Sequence, residues 1–150
     1  MTPATKTAID TDAAARLRST IGRLSRRLRP TETALAVGLT PTRLAVLQRV
    51  SRQGSIRMSE LAEAEGINPT MLSRVTADLV QSGLLERASD EGDRRAAWVK
   101  VTPAGKRLNE RIRRERTDAL KMALAELSDA ELRQIEKALP ALEQLAERIR

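Results

Sequence analysis

The strongest fold signal in this chain is GSIRMSELAEAEGINPTMLSRVTADLVQSGLLERASDEGDRRAAWVKV, residues 54–101. A first helix is predicted over residues 59–65, where Ser59 is a favourable N-cap. Gly66 ends this helix, because glycine readily adopts the left-handed backbone that closes a helix. Asn68 then caps a second helix with Pro69 at its first position, where a missing N–H costs nothing. A helix, a tight turn and a newly capped helix predict a helix-turn-helix.

The second predicted helix has two different faces. Its buried face carries mainly apolar residues at helical spacing, namely Leu72, Val75, Thr76 and Leu79. Its outer face carries mostly short polar and cationic side chains, namely Thr70, Arg74, Ala77 and Gln81, with Ser73 on the flank. Hydroxyl groups can bond to base edges or phosphates, and arginine can read guanine with two parallel hydrogen bonds. The helix is therefore either a DNA-reading helix or an ordinary amphipathic surface helix.

A charged hairpin follows the two helices. Residues 84–87 and 98–101 predict short strands, and the loop 89–97 between them contains Asp93, Arg94 and Arg95. A helix-turn-helix followed by a hairpin with a basic tip predicts a winged helix, whose tip can place an arginine in a narrow minor groove. The alternative is a solvated charged turn, since exposed ion pairs contribute little.

Composition restricts the classes of function. The 150 residues are enough for about one domain with a core of its own. The formal net charge of +7 suits a polyanionic partner. The absence of cysteine and histidine excludes disulfides and thiolate or imidazole metal ligands, so no metal site or cofactor is predicted. With no glycine-rich phosphate loop or serine nucleophile motif either, an enzyme is not expected. Trp98 is the only aromatic residue, which favours double-stranded DNA over a stacked single strand.

The chain contains no apolar run long enough to span a membrane. Its first residues, MTPATKTAIDTDAAAR, lack the apolar centre of a signal peptide. No membrane partner is therefore expected, and the predicted location is the cytoplasm.

The regions on either side of this core predict long helices. A helix over residues 12–28 carries an apolar stripe of Leu17, Ile21, Leu24 and Leu28. Thr40 and Pro41 begin another helix that reaches about residue 51, and residues 55–57 are a candidate third strand. Helices are also predicted over residues 103–126 and 129–148, the latter begun by a capping box of Ser128 and Glu131. The last helix has apolar residues at coiled-coil spacing: Leu132, Ile135, Leu139, Leu142, Ala146 and Ile149.

Three stretches resemble the MarR family of bacterial transcription regulators. They are LTPTRLAVL (residues 39–47), MSELAEAEGINPTMLSRVTADLVQSGLLER (58–87) and DRRAAWVKVTPAG (93–105). The last is the most specific, since Asp-Arg-Arg, a strand and then Val-Thr-x-x-Gly is the family's pattern for the wing and the helix that follows it. The resemblance covers nearly the whole chain. It implies a homodimer that binds DNA and is often released from it by a small molecule.

The resemblance also implies roles for individual residues. Thr70, Ser73 and Arg74 are the candidates for reading bases in the major groove. Arg43, Ser59 and Asn68 are candidates for phosphate contacts. Arg94 is the first candidate for the minor groove and Arg95 the second, with Asp93 orienting the arginine. Family members hold small, often aromatic acids in a cleft between the dimerisation helices and the winged core. No residue of this chain stands out for that role, and the chain could also respond to no ligand.

The predicted fold is mainly α with a small β-hairpin wing (α+β). A single MarR-like domain spans residues 1–150, with a winged helix-turn-helix core at 39–101 and helical dimerisation regions at 12–30 and 103–150. Leu17, Ile21, Leu24, Leu132, Ile135, Leu139, Leu142 and Ile149 are the predicted dimerisation residues. A twofold dimer predicts a pseudo-palindromic operator with half-sites roughly 34 Å apart. The expected function is that of a sequence-specific regulator that binds double-stranded DNA and represses transcription. The alternatives are an architectural DNA-binding protein indifferent to sequence and a helical protein–protein adaptor.

Overall fold

A computed structural model describes residues 10–28, 31–89 and 97–149. Within these ranges seven helices and three strands follow one another along the chain. They are α1 (Thr11–Leu28), α2 (Glu32–Ala36), α3 (Pro41–Gln53), β1 (Ser55–Arg57), α4 (Met58–Glu65), α5 (Pro69–Gln81), β2 (Leu85–Ser89), β3 (Ala97–Val101), α6 (Pro103–Leu124) and α7 (Asp129–Arg148). The fold is therefore mainly helical with a small sheet, as the sequence predicts.

Side-chain caps set the start of most of these helices. Thr40, Asn68 and Thr102 each accept a hydrogen bond from a backbone N–H in the first turn of α3, α5 and α6, and a proline follows each of them. Ser128 begins α7 with the predicted capping box. The prediction for Ser59 is wrong. Helix α4 begins one residue earlier, with Arg57 at the N-cap and no side-chain cap, because β1 runs directly into the helix.

The three strands form one antiparallel sheet in the order β1-β3-β2. Ile56 lies opposite Val99, and Leu85 lies opposite Val101. The candidate third strand at residues 55–57 is thus confirmed as an edge of the wing sheet. The two hairpin strands are displaced slightly from the predicted ranges, since β2 begins at residue 85 and β3 at residue 97. The loop that joins them, residues 90–96, lies outside the described residues.

The core lies between α3, α4, α5 and the sheet. Its fully buried side chains include Leu47 of α3, Leu61 of α4, Leu72 of α5 and Val99 of β3. The predicted inner face of α5 is confirmed, because Leu72, Val75, Thr76 and Leu79 are all buried. The buried hydroxyl of Thr76 donates to the carbonyl oxygen of Leu72 at 2.9 Å, so it does not go unsatisfied in the core. The core therefore holds α5 by one face and leaves the other in solvent.

Helices α1 and α7 contribute no buried residue to this chain. Their apolar stripes face solvent instead: Leu17, Ile21 and Leu24 of α1 and Ile135, Leu139 and Leu142 of α7 are exposed, as is Ile149 just beyond α7. Helix α7 continues through Pro140. A smaller cluster of Ala34, Leu44 and Ile112 joins α2, α3 and α6. No helix in the described part of the chain is long and apolar enough to cross a membrane.

Candidate DNA interface

The outer face of α5 is the best candidate for reading bases. Thr70, Ser73 and Arg74 are all exposed, as are Ala77 and Gln81 further along the same helix. The side-chain oxygen of Asn68 accepts the N–H of Met71 at 2.8 Å, which fixes the first turn. The structure therefore brings together the three residues predicted to read bases, on one accessible face of a helix whose opposite face is anchored in the core.

The candidates for phosphate contacts lie in different environments. Ser59 is exposed in the first turn of α4, and Asn68 is exposed while its side chain caps α5. Arg43 lies in the first turn of α3, and its guanidinium forms an ion pair with Asp78 of α5. The side chains of both partners are 36% exposed. The pairing was not apparent from the sequence, because the two residues are 35 positions apart.

Side-chain contacts between neighbouring strands stabilise the base of the wing, and the sequence did not predict them. The guanidinium of Arg57 lies 5.2 Å from the centre of the Trp98 ring, a cation–π distance. Lys100 of β3 lies 3.7 Å from the carboxylate of Glu86 on β2, an exposed pair that contributes little. A lone tryptophan beside an arginine-containing strand is the sequence feature that could have suggested the first contact. Asp93, Arg94 and Arg95, the predicted residues of the wing tip, lie outside the described residues.

The junction between the wing and α6 is built on two residues of the Val-Thr-x-x-Gly pattern. The hydroxyl of Thr102 lies 2.7 Å from the carbonyl oxygen of Gly83 and accepts the N–H of Gly105 at 3.0 Å. A Cβ atom on Gly105 would lie only 2.1 Å from the carbonyl oxygen of Leu84. Only glycine therefore permits this close approach between α6 and the turn before β2, which gives a physical reason for the pattern.

Comparisons with known proteins agree with this geometry. A sequence profile of the MarR family matches residues 39–97. The chain is 33% identical over 125 residues to an uncharacterised HTH-type transcriptional regulator of Mycobacterium bovis, Mb0904, covering 82% of this chain and 86% of that one. The chain belongs to the MarR family.

Other transcriptional regulators are similar to it in sequence or fold. The HTH-type transcriptional repressor MdtR of Bacillus subtilis is 29% identical over 110 residues, which cover 73% of this chain and 71% of that one. The crystal structure of the transcriptional regulator Tm0710 from Thermotoga maritima superposes with a TM-score of 0.77 at 23% identity, over 93% of this chain and 96% of that one. MarR family members are DNA-binding transcription regulators and not enzymes, and this chain is a DNA-binding transcription regulator.

A cavity of about 800 Å³ lies between the winged core of this MarR family member and its flanking helices. Its lining is mainly aliphatic and comes from five helices and the segment after α4, with Leu28 of α1, Leu35 of α2, Ala45 of α3 and Ile67 among the contributors. Glu65 and Arg116 add charge to the lining. The cavity is therefore mainly aliphatic, with one carboxylate and one guanidinium in its lining.

The carboxylate of Glu115 on α6 accepts two hydrogen bonds from Thr33 on α2, a contact called the clasp below. The hydroxyl of Thr33 donates to one oxygen of Glu115, and the N–H of Thr33 donates to the other at 3.2 Å. The Thr33 hydroxyl bond is the main reason that the pKa of Glu115 lies below its ordinary value, with smaller contributions from the Thr33 N–H, the Thr31 hydroxyl and Arg111. Partial burial opposes this shift. The clasp therefore favours the ionised carboxylate.

Proposed function

We propose that this regulator is a homodimer that represses transcription by occupying a pseudo-palindromic operator. The observation that supports it best is the exposure of the apolar stripes of α1 and α7. These two helices have no buried residue in the single chain. Large apolar side chains on them face solvent, since Ile21 of α1 is 48% exposed and Leu139 of α7 is 46% exposed. Long amphipathic helices need a partner for their apolar faces, and a second copy provides one. The name of MdtR, a repressor, supports the direction of regulation.

In this proposal each subunit places α5 in the major groove of one half-site. Thr70, Ser73 and Arg74 contact base edges, while Ser59 and Asn68 contact the backbone. The wing follows the adjacent minor groove, with Arg94 inserted, Arg95 as its second contact and Asp93 orienting the arginine. Support comes from the exposure of the α5 face and from the wing sheet that α5 packs beside. The DNA lies in the bacterial cytoplasm, so the protein is proposed to act there.

A small, largely apolar effector is proposed for the cavity beside α1 and α2. The cavity is bounded by α1 and α6 on one side and by α3 of the winged core on the other. A ligand that fits one relative placement of these helices better than another would change the affinity for DNA. Benzoate, the simplest aromatic acid, is a suitable probe. It is expected to raise the melting temperature and to weaken binding to DNA, and no change in either quantity would reject this class of effector.

The decisive experiment combines fluorescence anisotropy with sedimentation. The purified protein is titrated at physiological salt onto a duplex that it has itself selected from a random pool, and onto a shuffled duplex of equal composition. A preference of roughly 10³-fold or more with two chains per duplex is expected. Tight and equal binding to both duplexes would instead indicate an architectural protein. Failure to enrich any duplex from the pool, together with no binding to random duplexes, would indicate a protein–protein adaptor.

A further inference from the structure

The outer face of α5 that carries Thr70, Ser73 and Arg74 is called its reading face. At the edge of this face, Asp78 pairs with a different arginine from the one that sequence spacing predicts. Arg74 and Asp78 are four residues apart on α5, a spacing at which opposite charges on a helix commonly pair. The Asp78 carboxylate instead pairs with the Nη2 atom of Arg43, which reaches across from α3. Arg74 is exposed and has no ion pair within the described ranges of the chain. One carboxylate thus lies within reach of two arginines, and the arginine of the neighbouring helix holds it.

We propose that Arg43 is a positioning residue for DNA recognition: by holding Asp78, it keeps that carboxylate away from Arg74 and leaves the Arg74 guanidinium available for a base. This inference rests on the proposed function, in which Arg74 reads bases. It gives Arg43 a different role from the phosphate contact that the family resemblance implies. It also makes Asp78 part of the recognition surface, although its own charge would oppose DNA.

The electrostatics of the site support this arrangement. Asp78 lies one helical turn beyond Arg74, so an unheld carboxylate would attract the guanidinium that must reach a guanine. It would also place an uncompensated negative charge next to phosphates. Arg43 removes both effects, and it does so from α3, a helix that contacts α5 and shares the same hydrophobic core. Both side chains of the pair are 36% exposed, so the pair remains open to competition in solution.

The test measures a discrimination ratio, defined as the Kd for a shuffled duplex divided by the Kd for a duplex selected by the wild-type protein from a random pool. Arg43→Gln is expected to lower this ratio about two- to fivefold for each subunit. This change corresponds to the free energy that an exposed ion pair contributes. The double variant Arg43→Gln with Asp78→Asn is expected to restore it. In an Arg74→Gln background, Arg43→Gln should have no further effect on the ratio. This loss of effect separates positioning of Arg74 from a general contribution to stability.

A matched control comes from the other arginine that α3 uses for an ion pair. The Nε atom of Arg49 lies 2.7 Å from a carboxylate oxygen of Glu65, which ends α4 and lines the cavity instead of belonging to the outer face of α5. Arg49→Gln therefore removes the same charge from the same helix and should leave the discrimination ratio unchanged. The melting temperature of each variant shows whether it is folded.

Two results would overturn the inference while leaving the proposed function intact. In the first, the wild-type protein discriminates between the duplexes and Arg43→Gln does not change the ratio. In the second, Arg43→Gln weakens binding to both duplexes equally, with a shallower salt dependence, and Asp78→Asn does not restore it. That pattern identifies a phosphate contact. A wild-type ratio near one would instead reject the proposed function, and the inference with it.

Discussion

At the scale of single residues, the reading face of α5 depends on one long cationic side chain among short ones. Thr70 and Ser73 can each offer one hydroxyl, whereas Arg74 can make two parallel hydrogen bonds to guanine. Arg74 is exposed and lies on the face opposite the core residues of its helix. Its contribution should therefore appear in sequence preference more than in stability.

Replacing Arg74 by alanine is expected to relax sequence preference by about 1–3 kcal/mol, the range for a bidentate base contact. The measurement is anisotropy on the selected and shuffled duplexes. The melting temperature should be nearly unchanged, because the side chain makes no buried contact. An equal loss of affinity for every duplex would show that Arg74 contacts only phosphate.

The second prediction at this scale concerns Glu115 and pH. The pKa of Glu115 is lowered in the folded state, mainly by the Thr33 hydroxyl, so the ionised carboxylate stabilises the fold. This stabilisation is complete when the pH is above 4.5, the ordinary pKa of the group. That stability is lost as the pH falls through the lowered pKa. Melting curves are recorded between about pH 3 and pH 7, a range that includes the ordinary pKa of carboxyl groups. At neutral pH the wild type should be more stable than Glu115→Gln.

The difference in melting temperature between these two proteins should narrow below about pH 4.5. Glu110→Gln is the control, since Glu110 is exposed on the same helix. A difference that stayed constant with pH would mean that the Glu115 carboxylate is not held by Thr33.

At the scale of elements, the first turn of α6 lies against the backbone of the turn that precedes β2. Gly105 is buried in the first turn of α6, and a Cβ there would meet the carbonyl oxygen of Leu84 at 2.1 Å. Gly105→Ala is expected to destabilise the protein by roughly 1–3 kcal/mol or more, as for other overpacked sites. Chemical denaturation measures this change.

Gly22 provides the contrasting variant. A Cβ at Gly22 would come no closer than 3.4 Å to the end of the flexible Arg26 side chain. Gly22→Ala should therefore leave stability unchanged or raise it by up to about 1 kcal/mol, because alanine favours the helix. Equal losses in the two alanine variants would contradict the steric explanation for Gly105.

The wing hairpin is the second element with a separable role. Its two strands pair with each other and β3 also pairs with β1, which fixes the base of the wing. Arg94→Ala at the tip is expected to weaken binding to DNA and to leave the melting temperature unchanged. Anisotropy at moderate salt tests this, and an unchanged affinity would reject the minor-groove role.

At the scale of the whole molecule, the apolar faces of α1 and α7 call for a second chain. Ile21→Glu and Leu139→Glu each place a charge in the proposed interface and are expected to convert a dimer into monomers, observed by sedimentation, and to weaken operator binding strongly. Gln144→Glu adds the same charge to an exposed position of α7 on the side away from the stripe. It should leave the dimer intact. A wild-type monomer at micromolar concentration would contradict the prediction.

Much of the fold follows from local chemistry. The caps at Thr40, Asn68, Thr102 and Ser128 place four helix starts correctly, because a side chain that bonds the first-turn N–H groups acts within a few residues. Ser59 fails as a cap because the preceding residues are held in β1 by pairing with β3. Local preference was overridden there by a contact between distant parts of the chain.

Periodicity, capping and motif spacing are local properties, and they were enough to predict the helix-turn-helix, the buried and outer faces of α5, and the family. The three-dimensional structure was needed to show which arginine pairs with Asp78, at which edge β1 joins the wing sheet, and why Gly105 must be glycine. Each of these depends on atoms brought together across many residues of chain. Short-range spacing favours Arg74 as the partner of Asp78, but the packing of α3 against α5 places Arg43 there instead.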